Sequence, residues 1–349
     1  LELGSIYPDY KYFYERAVPE KILDFAAIKF AEYSENTYLA FLWPSGKENK
    51  VASEALFNKV IYKKNIGLTE RGALNLLIEL YKHMDWVGNV NDGFLGAHEK
   101  LLECFPAFEP FTVILFQCDC LEKVREIKQK VRDINDIGFS SVHITDTKEE
   151  ALRVSKLIFN KNGLHFLNYS NPYAYSDVLS SLEEFRSRMK VSEINLNDLV
   201  IDGSMILGVY GLRDAKDIDF LVPGNMNLSF SEAFESHDSE LLYHGLDKNR
   251  LIYDPCYYFE CFGFKFVSFD QVYAMKKKRA EEKDYNDCRM MSSLIKGDSL
   301  GFYIARQKQK FFYKRLLLKS RVRYCLVAAM KKTGSYEMIR YFYRRYFRR

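Results

Sequence analysis

Apolar positions in the first hundred residues recur at helical spacing. The stretches "PEKILDFAAIKFAEYSE" and "TERGALNLLIELYKHMDWV" each put an apolar stripe on one helix face, and the second opens on a Thr suited to capping. Pro44-Ser-Gly and "GNVNDGFLGAHEK" read as loops. Near Pro106 the pattern changes. "FTVILFQ" predicts a buried strand, "CLEKVREIKQKVRDIN" a charged helix and "FSSVHIT" another strand, and Thr147-Lys-Glu-Glu150 forms a capping box ahead of "ALRVSKLIFN". The turn formers of "NYSNPYAYSD" mark a boundary. Beyond it come a helix in "DVLSSLEEFRSRMK", a strand in "DLVI", a short helix in "MILGVYGL" and a strand in "DIDFLV". The pattern predicts an α/β (α+β) protein with a helical region over 1–105 and a small α/β unit over 106–170. A second α/β domain is expected over 171–300, followed by a basic, aromatic, helical tail over 301–349.

Composition narrows the class. An apolar share of 48% beside 28% charged residues suits a soluble chain with a sizeable core. No apolar run nears the ~18–20 residues that span a bilayer. The seven cysteines are scattered, none forms a C-x-x-C pair, and the six histidines do not cluster with them. That argues against a zinc site or disulfide scaffold and fits a reducing cytoplasm. The opening "LELGSIYPDY" has no Met and no leader pattern, so the natural start is expected upstream. Charge is distributed unevenly. From Arg306 to Arg349 there are 15 Lys and Arg against one acid, Glu337; the totals of 51 and 47 leave 36 basic and 46 acidic residues upstream. The tail interleaves these cations with Tyr, Phe and Leu. This predicts a peripheral anchor on an anionic membrane surface at 306–349, at the inner face of the membrane, ahead of nucleic-acid binding. An ordinary helix pair packed on an acidic body is the plain alternative.

The chemistry gathers at "IDGSMILGVYGLRDAKDIDFLV". Strand alternation aims Asp217 and Asp219 to one face and Ile218 to the other. Paired carboxylates can share Mg²⁺ (or Mn²⁺), which takes one or two carboxylates, waters and phosphate oxygens. Gly203 permits close backbone approach, and Ser204 begins a helix whose amides favour phosphate. Arg213 either clamps a phosphate or pairs with Asp214.

Gly203-Ser204, Gly211, Arg213 and Asp217-x-Asp219 together resemble the signature of the nucleotidyltransferase superfamily, in its AbiEii-like branches. "KFVSFDQVYAMKKKRAEEKDYNDCRMM" is similar to the segment that follows the catalytic sheet there, with Lys276, Arg279, Lys283, Asp284 and Asp287 at the matching places. LicD-like proteins show a related arrangement, though their aspartate-rich segment is matched only by Asp217-Ile-Asp219. The resemblance implies a polymerase-beta-like fold with a mixed sheet and a donor site using Lys276 and Lys283. It also implies a third acid on a later strand, for which Glu260 is preferred over Asp254. Asp284 and Asp287 are expected as caps or ion-pair partners.

The expected function is transfer of a nucleotidyl, phospho-sugar or phospho-alcohol group from a nucleotide or nucleotide-sugar donor to a hydroxyl, in bacterial surface-glycan assembly. Alternatives are a toxin-type nucleotidyltransferase acting on RNA or protein, and a non-catalytic nucleotide- or sugar-binding module. A second site is expected at His143 and Asp146, at the end of a strand where α/β proteins place ligands, with Ser141, Asn160 and Asn162 on the same edge.

Overall fold

A computed structural model describes residues 19–224, 229–231 and 233–346. The chain forms two compact units, Leu1–Met275 and Lys276–Arg349. The fold is mixed α/β.

The first unit holds two sheets. Four antiparallel strands, β1 (Thr37–Leu42), β2 (Val60–Ile66), β3 (Phe111–Gln117) and β4 (Val142–Ile144), lie in the order β2-β3-β1-β4. The helix Leu121–Asn135 covers one face, burying Val124 and Val131 against Tyr38, Ala40, Leu42, Ile114 and Phe116. The expected helical region over 1–105 is therefore corrected. It supplies β1 and β2, and the strands of the expected 106–170 unit complete their sheet only by pairing with them. "TYLAFL" is buried at all six positions, so no polar residue marks a period. The helix Leu95–Cys104 also begins inside the expected loop.

The helices Glu20–Tyr33, Glu70–Tyr81, Leu121–Asn135, Lys148–Ile158 and Ser176–Val191 form where the periodicity predicts. Thr69 Oγ1 accepts from Gly72 N at 3.1 Å and Thr147 Oγ1 from Glu150 N at 3.1 Å, satisfying amides that the first turn cannot. Only the Thr half of the expected box at 147–150 appears as written. The carboxylate of Glu150 reaches one residue further back, to Asp146 N at 3.0 Å.

The second sheet is mixed. It comprises β5 (Val200–Asp202), β6 (Ile218–Leu221), β7 (Ser229–Ser231), β8 (Phe234–Ser236), β9 (Tyr258–Cys261) and β10 (Phe264–Val267), ordered β7-β8-β6-β5-β10-β9. β6 runs antiparallel to β5 and parallel to β8, while β10 runs parallel to β5 and antiparallel to β9. Register aligns Phe220, Ile201, Phe266 and Phe259 across four strands. Phe185 and Phe166 from two helices pack on this apolar row, with Phe185 5.3 Å from Phe220 and Phe166 5.0 Å from Phe259, ring centre to ring centre. Alternation then sends Asp202, Asp219 and Glu235 to the opposite face.

In the second unit, the helix Glu282–Lys296 is followed by Ser299–Lys332 and Tyr336–Tyr346. The 34 residues of the middle helix give a rod of roughly 50 Å. Among the described residues no helix is long and apolar enough to cross a membrane.

Candidate functional site

Asp202 ends β5 opposite Asp219 of β6, and Asp219 is in turn opposite Glu235 of β8. Side chains at paired positions share a face, so three carboxylates form one row across three strands. Neighbours in such a row stand about 5 Å apart, where like charges repel by roughly 1 kcal/mol in water and several-fold more near a protein interior. A sheet carries this arrangement only if something offsets it. Asp217 lies one residue before β6 and is exposed; Asp219 is half-buried and Glu235 exposed.

The bend after β5 fixes the row. Gly203 has φ +70° and ψ −130°, a conformation closed to residues with a side chain. A Cβ there would lie 2.5 Å from Asp219 Oδ2. The backbone bend and the Asp219 carboxylate are thus packed together, and Ser204 starts the helix Ser204–Val209 directly beyond. Gly211, at φ +73°, turns the chain away again against Asn171 O. Arg213 donates to Asp214 O at 3.0 Å.

Asp202 is fully buried, and two imidazoles account for its charge. His237 Nδ1 and His244 Nε2 each lie 2.8 Å from Asp202 Oδ2. Gln271 Nε2 stands 3.3 Å from His244 Nδ1 and donates to His244 O at 2.9 Å. Burial alone would raise the Asp202 pKa. The charge of His244 and the hydrogen bonds from both rings overcome it and hold the carboxyl well below its usual range. For His237 burial works against the charged ring, but the bond to Asp202 and the charges of Asp202 and Asp219 prevail, and its pKa is raised. Its outward nitrogen, Nε2, is 4.0 Å from Asp219 Oδ2. The raised pKa favours the charged ring, which offsets part of the row when it is protonated.

Asp202 Oδ1 is buried with no hydrogen-bond partner among the described residues. That orphaned oxygen and the solvent-reaching carboxylates of Asp219 and Glu235 are hard oxygen donors, the set that suits Mg²⁺ or Mn²⁺. Among the described residues no group of three or more His, Cys, Asp or Glu is arranged as a metal cage. The fit is to an ion that keeps waters and substrate oxygens, as Mg²⁺ commonly does.

Several expected residues lie elsewhere. Glu260 is on β9, with β10 and β5 between it and β6, roughly 14 Å from Asp219 and about 10 Å from Asp202 at ordinary strand spacing. It pairs with Lys156 at 3.0 Å, which corrects its expected role as third acid. Asp254, the other candidate, follows the helix Lys248–Tyr253 on no strand and accepts from Cys256 N. Lys276 is 1% exposed, held by Asp287 at 2.9 Å and Asp284 at 3.3 Å. Asp284 also takes Arg279 at 2.8 Å and shares a capping box with Glu281. An ammonium buried between two carboxylates cannot also clamp a donor phosphate, so the expected role of Lys276 is corrected as well. Lys283 reaches Glu281 at 3.0 Å on a half-exposed surface.

His143 is buried in β4 between Phe41 and Tyr81, its Nε2 3.3 Å from Glu150 Oε1. Burial keeps its pKa below the usual value. Asp146 is exposed nearby, and both line a cavity of about 460 Å³. Ser141 is buried there by a bond to Gly138 O, whereas Asn160 and Asn162 bind the backbone around Tyr258.

The sequence reading missed Asp202, Glu235, His237 and His244. A buried strand ending in Asp, and two histidines seven apart after an "F-E-S" strand, are the signals it could have used. Comparisons of the chain with protein-family models, with curated proteins and with solved structures gave no match.

Proposed function

We propose that the chain is a metal-dependent transferase acting at phosphorus, moving a nucleotidyl or phospho-sugar group to a hydroxyl. The observation that carries this reading is the row Asp202–Asp219–Glu235 set against the Gly203 bend. A strand–bend–helix–strand unit with Asp219 at the bend supports the resemblance to the nucleotidyltransferase superfamily, with Glu235 taking the third-acid place first given to Glu260. Asp219 and Glu235, paired across β6 and β8, would hold Mg²⁺ or Mn²⁺ with waters and substrate oxygens filling its remaining positions. When bound, the ion neutralises charge gathering on the phosphoryl oxygens. Ser204 and the amides beyond the bend face the same end of β5, where a donor phosphate can be received. His237 is oriented through Nδ1 by Asp202 and presents Nε2 toward Asp219, a placement in which the charged ring would steady negative charge building up at the reacting oxygens.

The long helix of the second unit exposes Leu316, Leu317, Leu318, Val322 and Leu326 among Lys and Arg. This supports attachment to an anionic membrane surface, the setting of glycan assembly.

The test is incubation with Mg²⁺ and a panel of labelled nucleotides and nucleotide-sugars, followed by product analysis. Consumption of one donor, lost in Asp219→Asn and Glu235→Gln while both remain folded, is the expected result. Equal turnover in both variants refutes the reading. Mg²⁺-independent nucleotide binding without turnover would replace it with a binding module.

A further inference from the structure

The cavity beside β4 has a chemistry of its own. At about 460 Å³ it falls within the size range of small-ligand sites. Three cations line it. Lys100 is matched to Glu103 at 2.9 Å, and Lys128 donates to Ile144 O at 3.0 Å with Asp146 no nearer than 3.8 Å. Arg132 has no such match among the described residues: its Nε is buried with no hydrogen-bond partner among them, and its guanidinium lies over Phe139, 4.4 Å from the ring centre. Glu150, the other acid on the wall, is committed to His143 and to Asp146 N. Burial depresses the Lys128 pKa, with Arg132 nearby adding to the effect and Asp146 and Glu150 opposing it. A buried donor on an unmatched guanidinium is costly unless a ligand supplies the acceptor.

The rest of the wall is mainly aromatic and apolar, with His83 and His143 among the rings. Tyr81 and Trp86 contact each other with ring centres 5.2 Å apart, and Trp86 and Phe139 remain 47% and 71% exposed. Aromatic faces beside a cluster of cations suit a planar ring that carries a compact dianion, since every nucleobase has a face to stack and guanidinium matches phosphate geometry. We propose that this cavity binds a nucleoside monophosphate, the base against Trp86 and Phe139 and the phosphate on Arg132 with Lys128 and Lys100. The site stands apart from the acid row, so its failure leaves that reading untouched.

Trp86 supplies the readout, because the chain's other tryptophan, Trp43, is buried. The full-length protein is titrated with UMP, CMP, AMP and GMP, with each matching nucleoside and with inorganic phosphate, following tryptophan emission and the ³¹P signal. At least one monophosphate should quench emission saturably and bind at least tenfold more tightly than its nucleoside or phosphate alone. Arg132→Gln should weaken binding by about tenfold or more, the loss of one charge-assisted contact, and Asp219→Asn should leave it unchanged. Lys128→Gln carries the same test if Arg132→Gln proves unfolded by circular dichroism. No saturable response, wild-type affinity in the cation variants, equal affinity for either half of the nucleotide, or loss in Asp219→Asn would each overturn the assignment.

Discussion

Asp202→Asn keeps the side chain's shape and removes its charge, which isolates the role of the two imidazoles. In the native site both donate to Asp202 Oδ2 at 2.8 Å. A hydrogen bond to a charged group contributes about 1.5–3 kcal/mol, against about 1 kcal/mol between neutral groups. An Asn oxygen can accept both bonds, so the change costs roughly 0.5–2 kcal/mol for each, and a buried donor left without an acceptor adds to it. Its amide nitrogen then takes the place of Oδ1, which has no partner among the described residues, so a buried donor replaces a buried acceptor. The expected loss is about 2–4 kcal/mol, or roughly 5–15 °C in Tm for a unit of this size. The pH dependence has a definite sign. The lowered pKa of Asp202 contributes stability present above its ordinary 3.8 and lost as pH falls through the folded value. The raised pKa of His237 contributes stability present below its ordinary 6.5 and lost as pH rises through the folded value. The gap between wild type and variant should therefore be widest near pH 5–6, narrowing on the acid side below about 4 and on the basic side above about 7. Thermal melts of both proteins from about pH 2 to 9 measure it. A gap under ~0.5 kcal/mol, or one constant across that range, would refute the charge-assisted account of the cluster.

Gly203→Ala should cost about 1–3 kcal/mol in backbone strain and displace the Asp219 carboxylate; near-complete loss of donor consumption in protein still folded below its lowered Tm is expected, and full turnover would contradict it. Lys276→Met should destabilise the second unit by about 3–5 kcal/mol, because Asp287 is left buried beside a neutral side chain. Urea unfolding checks this, and an unshifted midpoint would return Lys276 to the donor site. In the tail, Leu317→Asp with Leu326→Asp should abolish flotation with anionic vesicles while leaving helix content unchanged, and persistent flotation would mean the exposed leucines make no membrane contact.

Helices were legible wherever one face meets water. "CLEKVREIKQKVRDIN" and "TERGALNLLIELYKHMDWV" alternate apolar and charged residues at the helix period because each is half-buried, and both form close to their expected bounds. β1 was illegible for the converse reason. All six of its residues are buried between layers, so "TYLAFL" has no polar side to report a period, and β2, on the far side of β3, looks like a charged stretch because it is the edge strand of that sheet. The helix 95–104 was hidden by the Gly and Asn that precede it; Phe94 enters at φ +59° and lends the segment its loop-like opening.

The same contrast governs the site. Gly203, Ser204, Asp217 and Asp219 could be read because their chemistry depends on spacing along one segment, a bend and a strand about a dozen residues apart. The row they belong to depends on spacing across strands. Asp202 meets Asp219 through an antiparallel register, and Glu235 meets Asp219 through a parallel one with β7 inserted in the chain between them. No period within "YYFECFGFKF" distinguishes Glu260 from Glu235 as the third acid, since each sits in a short strand beside aromatics. The difference arises only when β10 takes the place next to β5, which carries β9 and Glu260 to the far edge and leaves β8 beside β6. His237 and His244 follow from that choice, because the turn leaving β8 passes over the end of β5, where a buried aspartate requires a donor.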